Sequence, residues 1–426
     1  MPTEIDTSLS LCRLLEPEIA ADPYHLYREL RESDPVFWDP FLHAWVVTRY
    51  ADVVTVLQKF SADRTLSTEQ LNNMGLGALA PIVEVMKLQM LFRDPPYHTR
   101  LRSVCANAFT PSRVAVLKSH IQEIVNGLIN RCIAAGSADI VADIAAPMPA
   151  IVTAEMFGLP VEDHESLKKW SIDFAEILGN FQHNPDRVAR VLESVYEMTS
   201  YFRAAIRRQA TDPREGLVNA LTTAAPDGTY LTEEEIIANC ILTMIGGQET
   251  TTNLIGSGIL TLLRHPDQLQ LLLDDPSLLP SAVEELLRYE SPIQHTARVA
   301  HEDINLGGKQ IRRGQSVIAV IAAGNRDPER FDDPDRLDLT RENNRHLAFG
   351  WAAHFCFGAP LARIEGQIAF GALVQRLRNL ELASDRLEWH ENLGLRGLCA
   401  LPVRFDPGPI VPVTYKLGFL KVGFLN

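Results

Sequence analysis

Residues 349–363 read FGWAAHFCFGAPLAR. Cys356 stands in a loop of small residues and aromatic rings, with Phe349 and Gly350 before it and Gly358 just after. A helical pattern, GAPLARIEGQIAFGALVQRLRNL, begins at once beyond it. Backbone N–H groups at a helix start carry partial positive charge and stabilise a thiolate. A thiolate can serve as the axial ligand of a haem iron, and small neighbours let backbone lie close to a flat ring. Read alone, however, a cysteine between Phe355 and Phe357 is more often an inert core thiol.

Working outward, three further constellations bear on that choice. Glu285 and Arg288, in SAVEELLRYE, share one helix face. On a surface they would be a weak ion pair. Val283, Leu286 and Leu287 make this helix apolar, so an acid and an arginine held inside need each other and further partners. Arg336, in FDDPDRLD, is the expected third member. His98 and Arg102, in PPYHTRLR, lie four apart on one face and suit an anion; a solvated basic face reads equally well. Arg298, in QHTARVA, and His354 could join the same anion. Finally, IGGQETTT, residues 245–252, puts two costly glycines inside a helix, followed by Glu249 and Thr250. Such glycines allow close approach of a planar ligand, and an acid beside a hydroxyl can relay protons. The plainer reading is a kink with threonines bonding back to the preceding turn.

That last motif lies in the longest helical pattern. Thr232 and Glu235 make a capping box, and the pattern runs unbroken to Pro266. A membrane span of that length would bury Gln248 and Glu249 in lipid at a cost of roughly 2.5–3.5 kcal/mol for the carboxylate. A helix crossing a large domain fits better. A second helix is bounded by Ser281, with Glu284 three on, and Pro292. HAWVVTRY and ADVVTVLQKF predict a strand and then a helix. Residues 298–327 alternate around Gly-Gly and Arg-Gly turns and predict short antiparallel strands. The stretch 210–230 reads as a loop, and the tail 410–426 is apolar and glycine-punctuated.

Composition sets outer bounds. The 426 residues are 46% hydrophobic and 22% charged, an ordinary globular balance. Forty basic against 54 acidic residues give a net charge of −14, which disfavours nucleic acid and anionic lipid as partners. The six cysteines form no C-x-x-C pair or metal cluster, so a reducing compartment fits. The N-terminus has no basic start, apolar run or cleavage site, and no membrane anchor is expected.

Together, the cysteine loop, the Glu-x-x-Arg helix, the acid–threonine pair and the His-x-x-x-Arg helix, in this order and spacing, closely resemble a bacterial cytochrome P450. The resemblance covers about residues 20–408. It implies a single mainly α domain over 1–426, a helix-rich triangular prism with small antiparallel sheets and a long central helix over the haem. It implies Cys356 as iron ligand and His98, Arg102, Arg298 and His354 as holders of the haem propionates. Phe349, Gly350 and Gly358 belong to the ligand loop. Glu285, Arg288 and Arg336 match a structural triad. Gly246 matches the place where dioxygen is accommodated, and Glu249 and Thr250 the proton-delivering pair.

The implied activity is insertion of one oxygen atom of dioxygen into a medium or large apolar substrate: a polyketide, terpenoid, steroid or fatty acid. No flavin or iron–sulfur motif is visible, so NAD(P)H electrons are expected through a ferredoxin or flavodoxin and its reductase. Arg100 and Arg345 are candidates for that docking face. A cytoplasmic monomer is expected. By position, Leu242, Ile245, Gln294, Thr296 and Leu398 could line the cavity. So could the segment 80–92, with Phe174, Leu178 and Phe181 as roof. Three features depart from the family pattern: Ala352 replaces a loop glycine, Leu337 an aromatic residue, and Gln248 a frequent histidine. The tail has no family counterpart. Competing readings are a peroxide-driven peroxygenase, a haem-based sensor and a helical scaffold.

Overall fold

In the computed structural model, residues 9–106, 109–178, 185–223, 228 and 230–414 are described, so Phe181 and most of the tail lie outside them. The long helix spans Glu233–Arg264, 32 residues, and ends before Pro266 as its pattern requires. At its start the Glu235 N–H donates to Thr232 Oγ1 at 3.2 Å, and the Thr232 N–H to Glu235 Oε2 at 3.0 Å. Side chains all round its circumference are buried. It therefore crosses the interior, packed by the helices Pro147–Phe157, His164–Leu178, Pro185–Gln209 and Ala359–Arg376. Among the described residues, Ile140–Phe157 is the helical stretch long and apolar enough to cross a membrane, and 78% of it is buried inside the fold.

Around this helical body, the described residues form small sheets. The largest orders β1 (Val36–Asp39), β2 (Ala44–Val47), β7 (Ser316–Ala319) and β4 (Thr296–Val299). β4 runs antiparallel to β7, with Arg298 opposite Val317. β2 pairs with β7 in parallel, a contact between distant segments that local alternation cannot reveal. β5 (Ile304–Leu306) and β6 (Lys309–Ile311) form a hairpin on Gly307 and Gly308, both left-handed. β9 (Pro402–Asp406) lies between β3 (Ser137–Asp139) and β8 (Arg378–Leu382).

Local expectations needed correction in three places. The stretch 210–230 contains a helix, Leu217–Thr222, anchored by buried Leu217, Val218 and Leu221. The helix after the cysteine ends at Arg376, and residues 378–382 pair as β8 instead. The helix bearing Glu285 starts at Leu279, so Ser281 lies inside it. Glu284 is then no cap. It grips Arg363 at 2.7 and 2.8 Å and His346 at 3.2 Å, which holds its carboxyl down at about 2 against the opposing effect of burial.

Glu285 and Arg288 are completely buried and paired through two 2.8 Å bonds. The second arginine on Glu285 is Arg341, at 3.2 Å to both carboxylate oxygens, rather than Arg336. The Arg336 side chain is 65% exposed beside Asp338 and supplies only its carbonyl oxygen, to Arg288 and Arg341. The reason is the proline turn: it folds the 334–336 backbone inward and turns the Arg336 side chain out. Asn344 Nδ2 and the Asp338 N–H complete the acceptor sites of Glu285, while Arg288 also donates to the carbonyls of Asn325 and Pro334. One carboxylate thus fastens the whole strand-to-loop segment leading to Cys356. Removing one partner of a buried ion group costs about 3 kcal/mol or more, whereas an exposed side chain is worth within about 0.5 kcal/mol. Chemical denaturation of Arg341→Ala and Arg336→Ala should therefore separate sharply, with the loss confined to the first.

Candidate active site

The Cys356 N–H donates to Phe349 O at 2.8 Å, closing the loop on itself. Inside it Gly350 takes φ +72°, and Ala352 takes φ +55°. A glycine is at ease there, whereas an L-residue is strained by roughly 1–2 kcal/mol. The departure at Ala352 therefore leaves the path of the loop intact at an energetic cost. A Cβ on Gly358 would sit 3.7 Å from the cysteine sulfur. Cys356, Ala352 and Ala353 keep accessible surface, and the Phe349 ring lies 4.6 Å from the Arg363 guanidinium. Burial pushes the Cys356 thiol up. The N–H groups of Gly358 and Ala359 and the charges of Arg102 and Arg363 pull it down.

Beside the loop, basic side chains from separate segments converge. His98 and His354 face each other with ring centroids 4.2 Å apart. Arg102 donates to Phe355 O. Arg298 comes from β4, braced by Thr296 Oγ1 at 3.1 Å and Ala297 O at 2.8 Å. Arg64, which sequence reading missed, joins them: burial, then the charge of Arg298, brings it down to about 9. Burial also lowers Arg298, to about 10, and His354, to about 3. His98 and Arg102 are lowered too, again mainly by burial. Asp94, the nearby acid, is occupied by Ser61 Oγ and the Ala62 N–H. Both ring nitrogens of His98, Nε2 of His354 and Nε of Arg298 have no hydrogen-bond partner among the described residues.

Buried donors without acceptors are costly, and buried cations without an anion more so. The cluster suits a ligand bearing carboxylates, next to a sulfur suited to a metal. A haem, with two propionates and an iron, meets both demands, and these residues fit it.

In the long helix, Gly246 is exposed although the helix around it is mostly buried, and among the described residues a Cβ there would meet nothing within 4 Å. The helix runs unbroken through the motif. Thr250 Oγ1 donates back to Gly246 O at 2.7 Å. Burial raises the Glu249 carboxyl to about 7, opposed by the charge of Lys168. Behind them Thr251 Oγ1 donates at 3.2 Å to Glu365, whose burial raises its carboxyl to about 8. Glu365 also escaped sequence reading, although one acid among Ile364, Ile368 and Ala369 was a visible signal. Gln248 is buried on the face about 200° round from Gly246, away from the motif.

The expected lining residues divide. Leu242 and Leu178 are partly buried; Ile245, Phe174 and Leu398 are buried in the main core. The segment 80–92 packs partly on the long helix. Gln294 is corrected. Tyr27 OH donates to its Oε1 at 2.9 Å, and its Nε2 donates to Ser291 O at 2.6 Å, so its amide ties down the N-terminal helix instead. Arg100 is likewise engaged, by Glu235 and Tyr230 O.

The family model that matches residues 37–395 is that of cytochrome P450. The biotin biosynthesis cytochrome P450 of Bacillus subtilis (strain 168) is 36% identical, aligning 91% of this chain with 98% of that relative. The monooxygenase PikC of Streptomyces venezuelae is 39% identical over 92% of this chain and 94% of its own length. The crystal structure of P450BioI with acyl carrier protein carrying hexadec-9Z-enoic acid superposes with a TM-score of 0.85 at 37% identity, over 91% of this chain and 100% of that one. This chain belongs to the cytochrome P450 family, and it is a monooxygenase of that family with the corresponding helix-rich fold.

Glu365 yields a pH test. Its carboxyl ordinarily titrates near 4.5 and in the fold near 8, so between those values the folded chain holds a proton the unfolded chain has lost. Stability contributed there is full below 4.5 and declines as pH rises through about 8. Denaturation of Glu365→Gln from pH 5 to 9 should show a flatter profile, gaining on the wild type by up to a few kcal/mol at the alkaline end.

Proposed function

We propose that Cys356 ligates the iron of haem b, and that His98, Arg102, Arg298 and His354, with Arg64, hold its propionates. The carrying observation is the convergence of those basic groups, several with unused donors, beside an accessible cysteine. When bound, the haem supplies dioxygen activation, assisted by the thiolate. Everything else is the work of the chain. The loop bond from Cys356 N–H to Phe349 O fixes the sulfur, and the Glu285 group fixes the loop. Glu249, titrating about 7, both gives and takes protons near neutral pH. Thr250 Oγ1 donates to Gly246 O, and as a relay its hydroxyl would accept one proton while giving up another.

The reaction is insertion of one oxygen atom into a C–H or C=C bond of a medium or large apolar molecule. Leu242, Ile245 and Leu398 offer it an apolar wall. Relatives include a polyketide biosynthesis P450 and a vitamin D(3) 25-hydroxylase, which supports that substrate range. Electrons originate from NAD(P)H and arrive through a separate ferredoxin or flavodoxin with its reductase. Arg345 is an exposed cation available for docking. All six cysteines are unpaired, which supports a reducing, cytoplasmic setting.

Reduced holoprotein should give the red-shifted carbon-monoxide absorption of a thiolate-ligated haem. Cys356→Ser should abolish it, and a normal band in that variant would remove the ligand assignment. Thr250→Ala should lower product formed per NAD(P)H by about an order of magnitude. Turnover limited by proton delivery should fall as pH rises through about 7, with that limb missing in Glu249→Gln. Peroxide-driven turnover without any reductase, at the wild-type rate in both variants, would favour a peroxygenase.

A further inference from the structure

Gln89 and Thr243 are two of several buried polar side chains that lack a hydrogen-bond partner among the described residues. Gln89 is fully buried, and neither amide atom has a hydrogen-bond partner among the described residues. Thr243 is 7% exposed, and its hydroxyl likewise has none among the described residues. The other threonines of the long helix all find acceptors: Thr250 on Gly246 O, Thr251 on Glu365, Thr252 on Ala145 O and Thr261 on Ser257 O. Thr243 is the exception.

Asn239 links the two segments that carry them. Asn239 accepts from the Met90 N–H at 3.0 Å and donates to Leu88 O at 2.9 Å, gripping the chain on both sides of Gln89. Thr243 follows Asn239 by one helical turn. Asn239, Thr243, Gly246 and Thr250 repeat at spacings of four, three and four, so they form one stripe of the helix. That stripe passes from the Asn239 grip to the exposed glycine and the proton-handling threonine.

We infer that Gln89 and Thr243 form a polar anchor for a neutral oxygen function of the substrate, a hydroxyl or a carbonyl. An amide and a hydroxyl each donate and accept, which matches such a group. The inference rests on the monooxygenase reading and narrows it: the substrate is an oxygenated apolar molecule rather than a bare hydrocarbon. Helix rise puts Thr243 about 4.5 Å from Gly246 and about 10 Å from Thr250 along the axis, so oxidation falls within that span of the anchored oxygen.

The test uses holoprotein and matched probes: decan-1-ol against undecane, and cyclododecanone against cyclododecane, with decanoate as charged arm. Binding is read by equilibrium dialysis. The oxygenated member of each pair should bind about tenfold tighter, and decan-1-ol tighter than decanoate. In Gln89→Leu combined with Thr243→Val the preference should shrink to about twofold or less. Each single variant, without ligand, should melt at a higher temperature, because an unpaired buried polar group is gone; a structural amide or hydroxyl would melt lower. Equal binding within the pairs, no binding of either oxygenated probe, an unchanged preference in the double variant, or lower melting of both single variants overturns the anchor. A fixed interior water shared by the two side chains predicts the unchanged preference. The carbon-monoxide band separates the two levels: band present and preference absent removes the anchor alone, whereas an absent band removes the reading beneath it.

Discussion

One buried carboxylate governs the architecture. Glu285 is removed from water entirely, and its charge is met by Arg288, Arg341, Asn344 and a backbone N–H. A pair buried this deeply contributes little net stability by itself, because desolvation offsets most of the attraction. Its value is positional. Arg288 reaches carbonyls at 325, 334 and 336, and Arg341 reaches 332, 333 and 336, so an irregular segment acquires one conformation. The neighbouring Glu284 does the same for the far side by fastening Arg363 and His346. The cysteine loop lies between those two attachments and inherits their rigidity.

The electrostatics of the interior follow from burial with selective compensation. Around the cysteine loop, Arg64, Arg298 and His354 have no salt-bridge partner among the described residues, and burial pushes each toward neutrality. On and beside the long helix, Glu249 and Glu365 have no salt-bridge partner among the described residues, and burial pushes both toward protonation. These are opposite imbalances on separate groups, and each prepares a different task. The first set would suit a ligand of negative charge, and the second the exchange of protons near neutral pH.

Much of this was legible in the chain, for reasons that differ by residue. The long helix declared itself through a capping box and uninterrupted periodicity, both local properties. Cys356, His98, Arg298 and His354 were recognisable because each sits in a short fixed pattern. Arg341 was missed in favour of Arg336 because both arginines flank the same turn, and only the turn's path decides which one points inward. Arg64 has no local pattern; its importance arises from contact with segments far along the chain. Gln294 failed for the complementary reason, since its partner Tyr27 is 267 residues away. The parallel pairing of β2 with β7 is invisible for the same cause.

The joint at Glu235 has a further consequence. This acid closes the capping box and also takes hydrogen bonds from Tyr97 and Arg100, so the start of the long helix is riveted to the helix carrying His98 and Arg102. The Asn239 grip adds a second rivet one turn on. That flank is built as a fixed wall. The helices His164–Leu178 and Pro185–Gln209 also pack on the long helix, and the links between them include Glu176 with Arg190, whose side chain is 60% exposed. Salt screens an exposed link of that kind more strongly than the Asn239 grip, whose partners are backbone groups.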